Sequence, residues 1–395
     1  MKIGYFNTFF PYKNPLTNLP TRNIQVGGGV ENVVYNLAVK MAEKGHDVYI
    51  FSTSVDKNET REVFGKIVIY RYKKNFKIGS SPTSIGVLYK PLRLDVALDI
   101  VHAHFGNLPA PLGGYWYAKK WKTPFVVTHH GDYIGGFGDP VRKLGVMFSN
   151  LYLTKKVLSS SDVIIALSQA HINDSKVLPQ YLDKIKVIPN GINLKDFDIP
   201  MNKSDCRKKL RLPLHATIIL FVGSLTPRKG PHILIKAMQK VVGIMPNALA
   251  VIVGGGSMKP ELERMVKEYR LEDHVRFTGF IDEKLKPFYY KASDAFALPS
   301  FSEAFPLTLL EASAAALPLI GSSIECLKGI IEAGFNGVLS ETGNHQDLAE
   351  KIVELFRNEK KRDIMAGNSK VKARSFSWDK IVQETETLYL NLLEG

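Results

Sequence analysis

The chain has 395 residues, 45% hydrophobic and 23% charged, which is the balance of a globular protein of about two domains and excludes a disordered, collagenous or coiled-coil chain. Its net charge is +14, divided as +10 over residues 1–200 (25 Lys and Arg against 15 Asp and Glu) and +4 over residues 201–395 (27 against 23). A field of that sign favours nucleic acid, anionic lipid or phosphorylated ligands without choosing among them. Only Cys206 and Cys326 are present, 120 positions apart, which argues against a disulfide framework and a cysteine-based metal site, and the expected compartment is the cytoplasm. No apolar run reaches the length of about 18 residues that a membrane span needs, since the most apolar stretch, residues 305–321, is broken by Glu311 and Ser313. The opening Met1-Lys2-Ile3-Gly4-Tyr5-Phe6-Asn7 is too short an apolar run for a signal peptide.

In chain order, residues 2–6 predict a strand, and a long loop with Phe9, Phe10, Tyr12 and three prolines follows. Gly27-Gly28-Gly29 then opens a helical pattern (Val30, Val33, Val34, Leu37, Ala38, Met41), which Gly45 closes before a strand at 48–51. That is a βαβ unit with glycines at its first turn, the doubly wound signature. Continuous apolar runs predict further buried parallel strands at 67–70, 100–102, 125–128, 163–167 and 186–188. Residues 195–213 lose periodicity and gain charge and proline, and the domain boundary is placed there. A second α/β series has strands at 217–222, 248–253, 275–277, 295–298 and 319–320, and helices at 231–242, 259–269, 306–316 and 346–357. The expected organisation is therefore two doubly wound Rossmann-like α/β domains, residues 1–198 and 199–375, with an amphipathic final helix, residues 376–395.

Four motifs carry chemistry. Gly27-Gly28-Gly29 before a helix lets backbone N–H groups approach an anion at a helix N-terminus, though a ligand-free tight turn has the same sequence. Its spacing is not G-x-G-x-x-G, and the acidic residue expected about 20 positions on to hold a ribose is absent after Phe51-Ser52-Thr53, which argues against a dinucleotide-dependent dehydrogenase. Gly223-Ser224-Leu225-Thr226-Pro227-Arg228-Lys229-Gly230-Pro231 sets two cations beside a helix start, as phosphate binding requires, although a solvated basic turn would read alike.

Glu303-Ala304-Phe305-Pro306-Leu307-Thr308-Leu309-Leu310-Glu311 places one carboxylate before a helix opened by Pro306 and a second about 7–8 Å further along the axis. Two carboxylates so spaced suit a sugar hydroxyl and a ribose diol, with the helix N-terminus facing a diphosphate. Glu311 precedes the apolar run 312–320, where an unpaired carboxylate is costly, so a purely solvated role fits it poorly. The fourth set is histidines at strand ends, His102 and His104, and His129 and His130, where doubly wound folds bind ligands. No cysteine and no His-x-x-x-His helix supports a zinc site there.

On these motifs the chain resembles the retaining glycosyltransferases of family 4, which have the GT-B fold: two Rossmann-like domains facing a central cleft. The resemblance runs nearly end to end and in order. It comprises Gly28-Gly29-Val30-Glu31, Lys44-Gly45-His46-Asp47-Val48, Asp99-Ile100-Val101-His102-Ala103-His104, Thr128-His129-His130-Gly131, Ala166-Leu167-Ser168, Ile188-Pro189-Asn190-Gly191-Ile192-Asn193, Val222-Gly223 with Lys229-Gly230, Gly254-Gly255-Gly256, Val275-Arg276-Phe277-Thr278-Gly279, and the Glu303…Glu311 pair preceded by Pro299-Ser300.

The resemblance implies an N-terminal acceptor domain, a C-terminal nucleotide-sugar domain, and a final helix that crosses back onto the first. It implies that Glu311 holds the donor ribose, Glu303 the donor sugar hydroxyls and Lys229 the diphosphate. His130 reaches toward the donor sugar from the acceptor side, and Gly28 and Gly29 face the phosphates. Glu303, His130 and Lys229 form the expected catalytic set. Ser224, Arg228, Phe280, Phe305, Pro306 and Leu307 join the donor-binding set, and His104, Asp132 and Asn190 are the acceptor-side candidates.

Three positions depart from the family pattern. Ser224 stands where the family usually has arginine, Glu325-Cys326-Leu327-Lys328-Gly329 replaces Gly-Gly-x-Pro-Glu, and Gly255 replaces a residue that is often acidic. The implied reaction is metal-independent transfer of a sugar, with retention, from a nucleotide-diphosphate sugar to a glycan, lipid-linked or small-molecule acceptor. The nucleotide sugar is a substrate, and no cofactor is expected. The basic first domain is expected to contact the inner face of an anionic membrane, and nucleic acid is not an expected partner. Alternatives left open by the residues are an epimerase or phosphorylase of the same fold, or a non-catalytic binder of nucleotide sugar or membrane.

Overall fold

The computed structural model describes residues 1–22, 29–78, 81–105, 109–132 and 149–395. The chain divides into two compact units. One comprises Met1–Asn190 with Trp378–Gly395, and the other Gly191–Ser377. The final helix, Trp378–Glu394, thus belongs to the first unit, and residues 195–213 lie wholly in the second.

The first unit is built on eight strands: β1 (Lys2–Phe6), β2 (Asp47–Thr53), β3 (Thr60–Phe64), β4 (Ile67–Tyr72), β7 (Ile100–Phe105), β8 (Phe125–His129), β9 (Val163–Ala166) and β10 (Ile185–Val187). Their order in the sheet is β10-β9-β8-β7-β1-β2-β4-β3. Every pair is parallel except β3 on β4, and a hairpin of β5 (Phe76–Ile78) and β6 (Ser81–Thr83) stands apart. The chain order reverses between β1 and β7, so the carboxyl ends of those strands flank the crevice in which doubly wound sheets bind ligands.

The second unit orders its strands β13-β12-β11-β14-β15-β16, all parallel. They are β11 (Thr217–Val222), β12 (Ala248–Val253), β13 (Val275–Gly279), β14 (Ala295–Leu298), β15 (Leu319–Ser322) and β16 (Gly337–Ser340). Here the reversal lies between β11 and β14. The loops after these two strands are the ones that carry Lys229 and Glu303. The central strands are buried along their length, which is why their sequences are continuous apolar runs rather than alternations.

The structure differs from the sequence reading in four places. The edge strands β3 and β16 and the β5–β6 hairpin were not expected, because short edge strands carry little apolar signal. Residues 195–213 are not a featureless linker. They contain a helix, Lys203–Lys209, capped by Asn202, whose Oδ1 accepts from the Asp205 N–H at 2.9 Å, and anchored by buried Cys206 and Arg207. The helix expected to open at Pro306 spans Leu307–Ala314, with Pro306 as its extended N-cap. The last helix starts at Trp378, after a 3-10 turn over Arg374–Phe376.

Candidate active site

In the second unit, β11 runs into a loop and a 3-10 turn, Pro227–Lys229, and Gly230 then starts the helix Pro231–Ile244. Gly230 has φ +67°, and a Cβ there would lie 2.0 Å from the Pro299 carbonyl oxygen. Only glycine lets the loop after β11 lie this close to the loop after β14. The approach brings Lys229 Nζ to 2.6 Å from Glu303 Oε1 and Arg228 Nη1 to 3.2 Å from Oε2. Arg228 Nη1 also donates to the Ser302 carbonyl at 2.7 Å, and Ser300 Oγ donates to Glu303 Oε1 at 2.7 Å. Glu303 is buried, so its two cations and one hydroxyl replace the water it gives up. Arg228 and Lys229 therefore converge on one carboxylate. Ser224 is exposed and adds no charge to this side of the loop.

Glu311 is buried on the helix Leu307–Ala314. Its Oε1 accepts from Lys286 Nζ at 2.8 Å and its Oε2 from Tyr290 Oη at 2.7 Å. Lys286 Nζ also lies 2.9 Å from Glu283 Oε2. Burial pulls the Lys286 ammonium pKa down, but Glu311 and Glu283 outweigh it and hold the group above its ordinary value. Burial, reinforced by Glu311, raises the Tyr290 phenol well above the usual range, so it stays a donor. Neither Lys286 nor Tyr290 is marked as a site residue by the sequence. They stand 25 and 21 positions from Glu311, and nothing local marks them.

The remaining donor-side candidates occupy the same unit. Phe280 is 76% exposed, and its ring lies over Gly255, where a Cβ would come within 2.4 Å of Cε2. An acidic side chain at position 255 would meet that ring. Phe305 packs edge-on to Phe376 at 5.7 Å, Pro306 is buried, and Leu307 is half-buried at the helix start. Pro306 supplies no side-chain cap to that helix. Of the segment that departs from the family pattern, Cys326 Sγ donates to the Ala304 carbonyl at 3.0 Å, inside the Glu303…Glu311 span.

In the first unit, Gly28 lies outside the described residues, and Gly29 opens the helix Gly29–Glu43 and is exposed. His104 Nδ1 lies 3.0 Å from His130 Nε2. His104 is buried and its Nε2 has no hydrogen-bond partner among the described residues. His104 and Asn190 line one small cavity of about 20 Å³ with His102 and Thr128, so neither presents a side chain to solvent. His130 and Asp132 keep part of their surface exposed. His102 is fully engaged, with Nδ1 2.5 Å from Tyr389 Oη and Nε2 2.7 Å from Thr128 Oγ1.

A second relay ties His130's neighbour to Asp132. The Leu167 N–H donates to His171 Nδ1 at 3.3 Å, so a neutral His171 carries its proton on Nε2 and donates to His129 Nδ1 at 3.1 Å. That leaves the His129 proton on Nε2, which lies 3.4 Å from Asp132 Oδ1 without a hydrogen bond to it among the described residues. Asp132 in turn accepts from Ser175 Oγ at 2.7 Å and from the Lys176 N–H at 2.6 Å.

Burial lowers the imidazole pKa to about 3 at His102 and His129 and to about 4 at His171. Burial and the neighbouring imidazoles hold His104 and His130 well below the usual value. The cluster is neutral at physiological pH. Among the described residues no group of three or more His, Cys, Asp and Glu is placed to hold a metal ion.

Two doubly wound parallel sheets, each with its polar groups gathered at the carboxyl ends of the strands beside the switch point, define a GT-B protein. The chain belongs to the family 4 glycosyltransferases: residues 27–196 match "Glycosyltransferase Family 4" and residues 202–372 match "Glycosyl transferases group 1". It is 29% identical over 373 residues to the O-antigen chain mannosyltransferase C of Escherichia coli, covering 93% of this chain and 95% of that one. It is 30% identical over 300 residues to the D-rhamnosyltransferase WbpZ of Pseudomonas aeruginosa, covering 75% and 74%. Sucrose-phosphate synthase of Thermosynechococcus elongatus shares the fold, with a TM-score of 0.78 at 22% identity over 100% of this chain and 99% of that one. The chain is a nucleotide-sugar-dependent glycosyltransferase.

Proposed function

We propose that the enzyme moves a hexosyl group from a nucleotide-diphosphate sugar to a glycan or lipid-linked acceptor with retention at the anomeric carbon. The observation that carries this reading is the pair of gripped carboxylates eight positions apart, Glu303 on Lys229 and Arg228, and Glu311 on Lys286 and Tyr290. Glu311 takes the ribose hydroxyls, and Glu303 takes the hydroxyls of the donor sugar. Lys229, with the starts of the helices Leu307–Ala314 and Pro231–Ile244, stabilises the charge that grows on the departing diphosphate.

In the step itself the bond from the anomeric carbon to the diphosphate oxygen breaks and takes its electron pair to the diphosphate. The acceptor oxygen bonds to the same face of that carbon, and its proton passes to the departing diphosphate. His130 orients the sugar, and no metal or organic cofactor enters. The relatives named above transfer mannose and D-rhamnose, two sugars with an axial hydroxyl at C2, and a donor of that configuration is the first to try.

The test is thermal unfolding with UDP, GDP and ADP and a matching sugar nucleotide of each, for wild type and Glu311→Ala. A ligand at 100 times its Kd stabilises by about 2.7 kcal/mol. One base should stabilise the wild type and lose its effect in the variant, and NMR of the product should show the donor's anomeric configuration. Equal stabilisation of both proteins, or an inverted product, would overturn the assignment.

A further inference from the structure

A chain of buried polar groups in the first unit takes no part in the chemistry above. Tyr5 Oη lies 3.3 Å from Tyr389 Oη, on the helix Trp378–Glu394, and Tyr389 Oη lies 2.5 Å from His102 Nδ1. His102 Nε2 lies 2.7 Å from Thr128 Oγ1. The four side chains come from β1, the final helix, β7 and β8, and all are buried.

The supply of acceptors sets the direction of the protons. A hydroxyl carries one proton, and so does a neutral imidazole. If Thr128 donates to His102, then His102 donates to Tyr389 and Tyr389 to Tyr5. The Tyr5 proton is then left without an acceptor, because among the described residues Tyr5 Oη meets only Tyr389. A buried hydroxyl left in that state is costly. In the opposite direction Tyr5 donates to Tyr389, Tyr389 to His102 Nδ1, and His102 Nε2 to Thr128 Oγ1, so each proton has its acceptor as far as Thr128. Thr128 lines the cavity of about 20 Å³ together with His104 and Asn190. Thr128 and His104 are paired in register across β7 and β8, so their side chains stand on one face of the sheet. His104 Nε2, buried and without a hydrogen-bond partner among the described residues, is an acceptor for a proton passed on from Thr128.

We propose that one water molecule sits in this cavity, accepts from Thr128 Oγ1 and donates to His104 Nε2, and that His104 is thereby a positioning residue that fixes the tautomer of His130. A buried water needs about 10–15 Å³ and two or more polar partners, and Thr128, His104 and Asn190 supply them. With Nε2 as acceptor, the proton of neutral His104 is on Nδ1 and is donated to His130 Nε2, 3.0 Å away. His130 then carries its own proton on Nδ1, the one ring nitrogen it has left to offer a sugar hydroxyl. Stacking holds the rings in this arrangement: His102 and His104 lie 4.3 Å apart at 26°, and His104 and His130 lie 5.3 Å apart at 22°. The inference rests on the role given to His130 under the proposed function, and adds what decides which of its nitrogens is the donor.

The test is long-range proton–nitrogen NMR of the full chain with isotope-labelled histidine at neutral pH. The signals of each imidazole are identified by their loss in His102→Gln, His104→Gln and His130→Gln. In the wild type His102 should be protonated on Nε2, and His104 and His130 on Nδ1. Two variants then break or keep the link. In His104→Asn the amide nitrogen can stand in for Nδ1, and His130 should keep its proton on Nδ1. His104→Leu can neither donate nor accept, and His130 should move to the Nε2 form that an unpartnered imidazole prefers. In transfer assays kcat should fall about tenfold in His104→Leu, the worth of one hydrogen bond, with the donor KM unchanged, and His104→Asn should restore most of it. His130 protonated on Nε2 in the wild type, or one His130 tautomer in all three proteins, would overturn the proposal. So would equal kcat for His104→Asn and His104→Leu when both are stabilised by nucleotide as the wild type is. Absence of nucleotide-induced stabilisation from all three proteins would instead overturn the transferase reading, and the NMR result would still decide the tautomer.

Discussion

Lys229 Nζ and Glu303 Oε1 lie 2.6 Å apart, so the cation assigned to the diphosphate and the carboxylate assigned to the sugar are partners of each other. The site is thereby held in place before a donor arrives, and a donor must share both groups. Glu303→Ala and Lys229→Ala should each cost about 2–4 kcal/mol of transition-state stabilisation, read as kcat/KM. Because the two groups are in contact, the double variant should lose less than the sum of the single losses. Strict additivity would mean that they act on separate parts of the reaction.

Lys286 compensates a buried carboxylate, and its removal should reach the nucleotide through Glu311. Lys286→Met leaves Glu311 with Tyr290 as its one hydrogen-bonding partner among the contacts above. Breaking a buried pair from one side costs about 3 kcal/mol or more. The variant should unfold earlier and bind nucleotide more weakly. Lys286→Met with Glu311→Gln should recover part of the stability without recovering nucleotide binding. Calorimetric unfolding and nucleotide titration of the three proteins decide this, and a Lys286→Met protein as stable as wild type would exclude the linkage.

The buried histidines make the first domain acid-sensitive. His102 and His129 titrate at about 3 and His171 at about 4 in the folded chain, against an ordinary value of 6.5. The unfolded chain therefore binds more protons below pH 6.5, and stability falls as the pH falls from there toward 4. At pH 5 each imidazole should have cost about 2 kcal/mol. Hydrogen exchange at pH 7 and pH 5 should show protection lost in β7, β8 and β9 before β11 and β12. His171→Gln should flatten the dependence. Equal protection at both pH values would show that the imidazoles are protonated without penalty.

Much of the architecture is legible in the residues alone. Continuous apolar runs at 217–222 and 248–253 are strands because a strand buried on both faces needs no polar alternation. The glycines before helices and the two glutamates eight positions apart are local patterns, and they carry the fold and the site as far as local pattern can. What the sequence could not display is which distant groups meet.

Nothing near Glu311 announces Lys286, and nothing near His102 announces Tyr389 287 positions away. Periodicity records only which way each side chain faces along its own strand or helix. Pairing across hundreds of residues is decided when the sheets assemble and each buried charge or ring nitrogen finds a partner in place of water. Local pattern carries the two doubly wound halves and the chemistry gathered at their strand ends; packing between distant segments fixes which groups hold that chemistry in place, because a buried polar group is satisfied by whatever the fold brings against it.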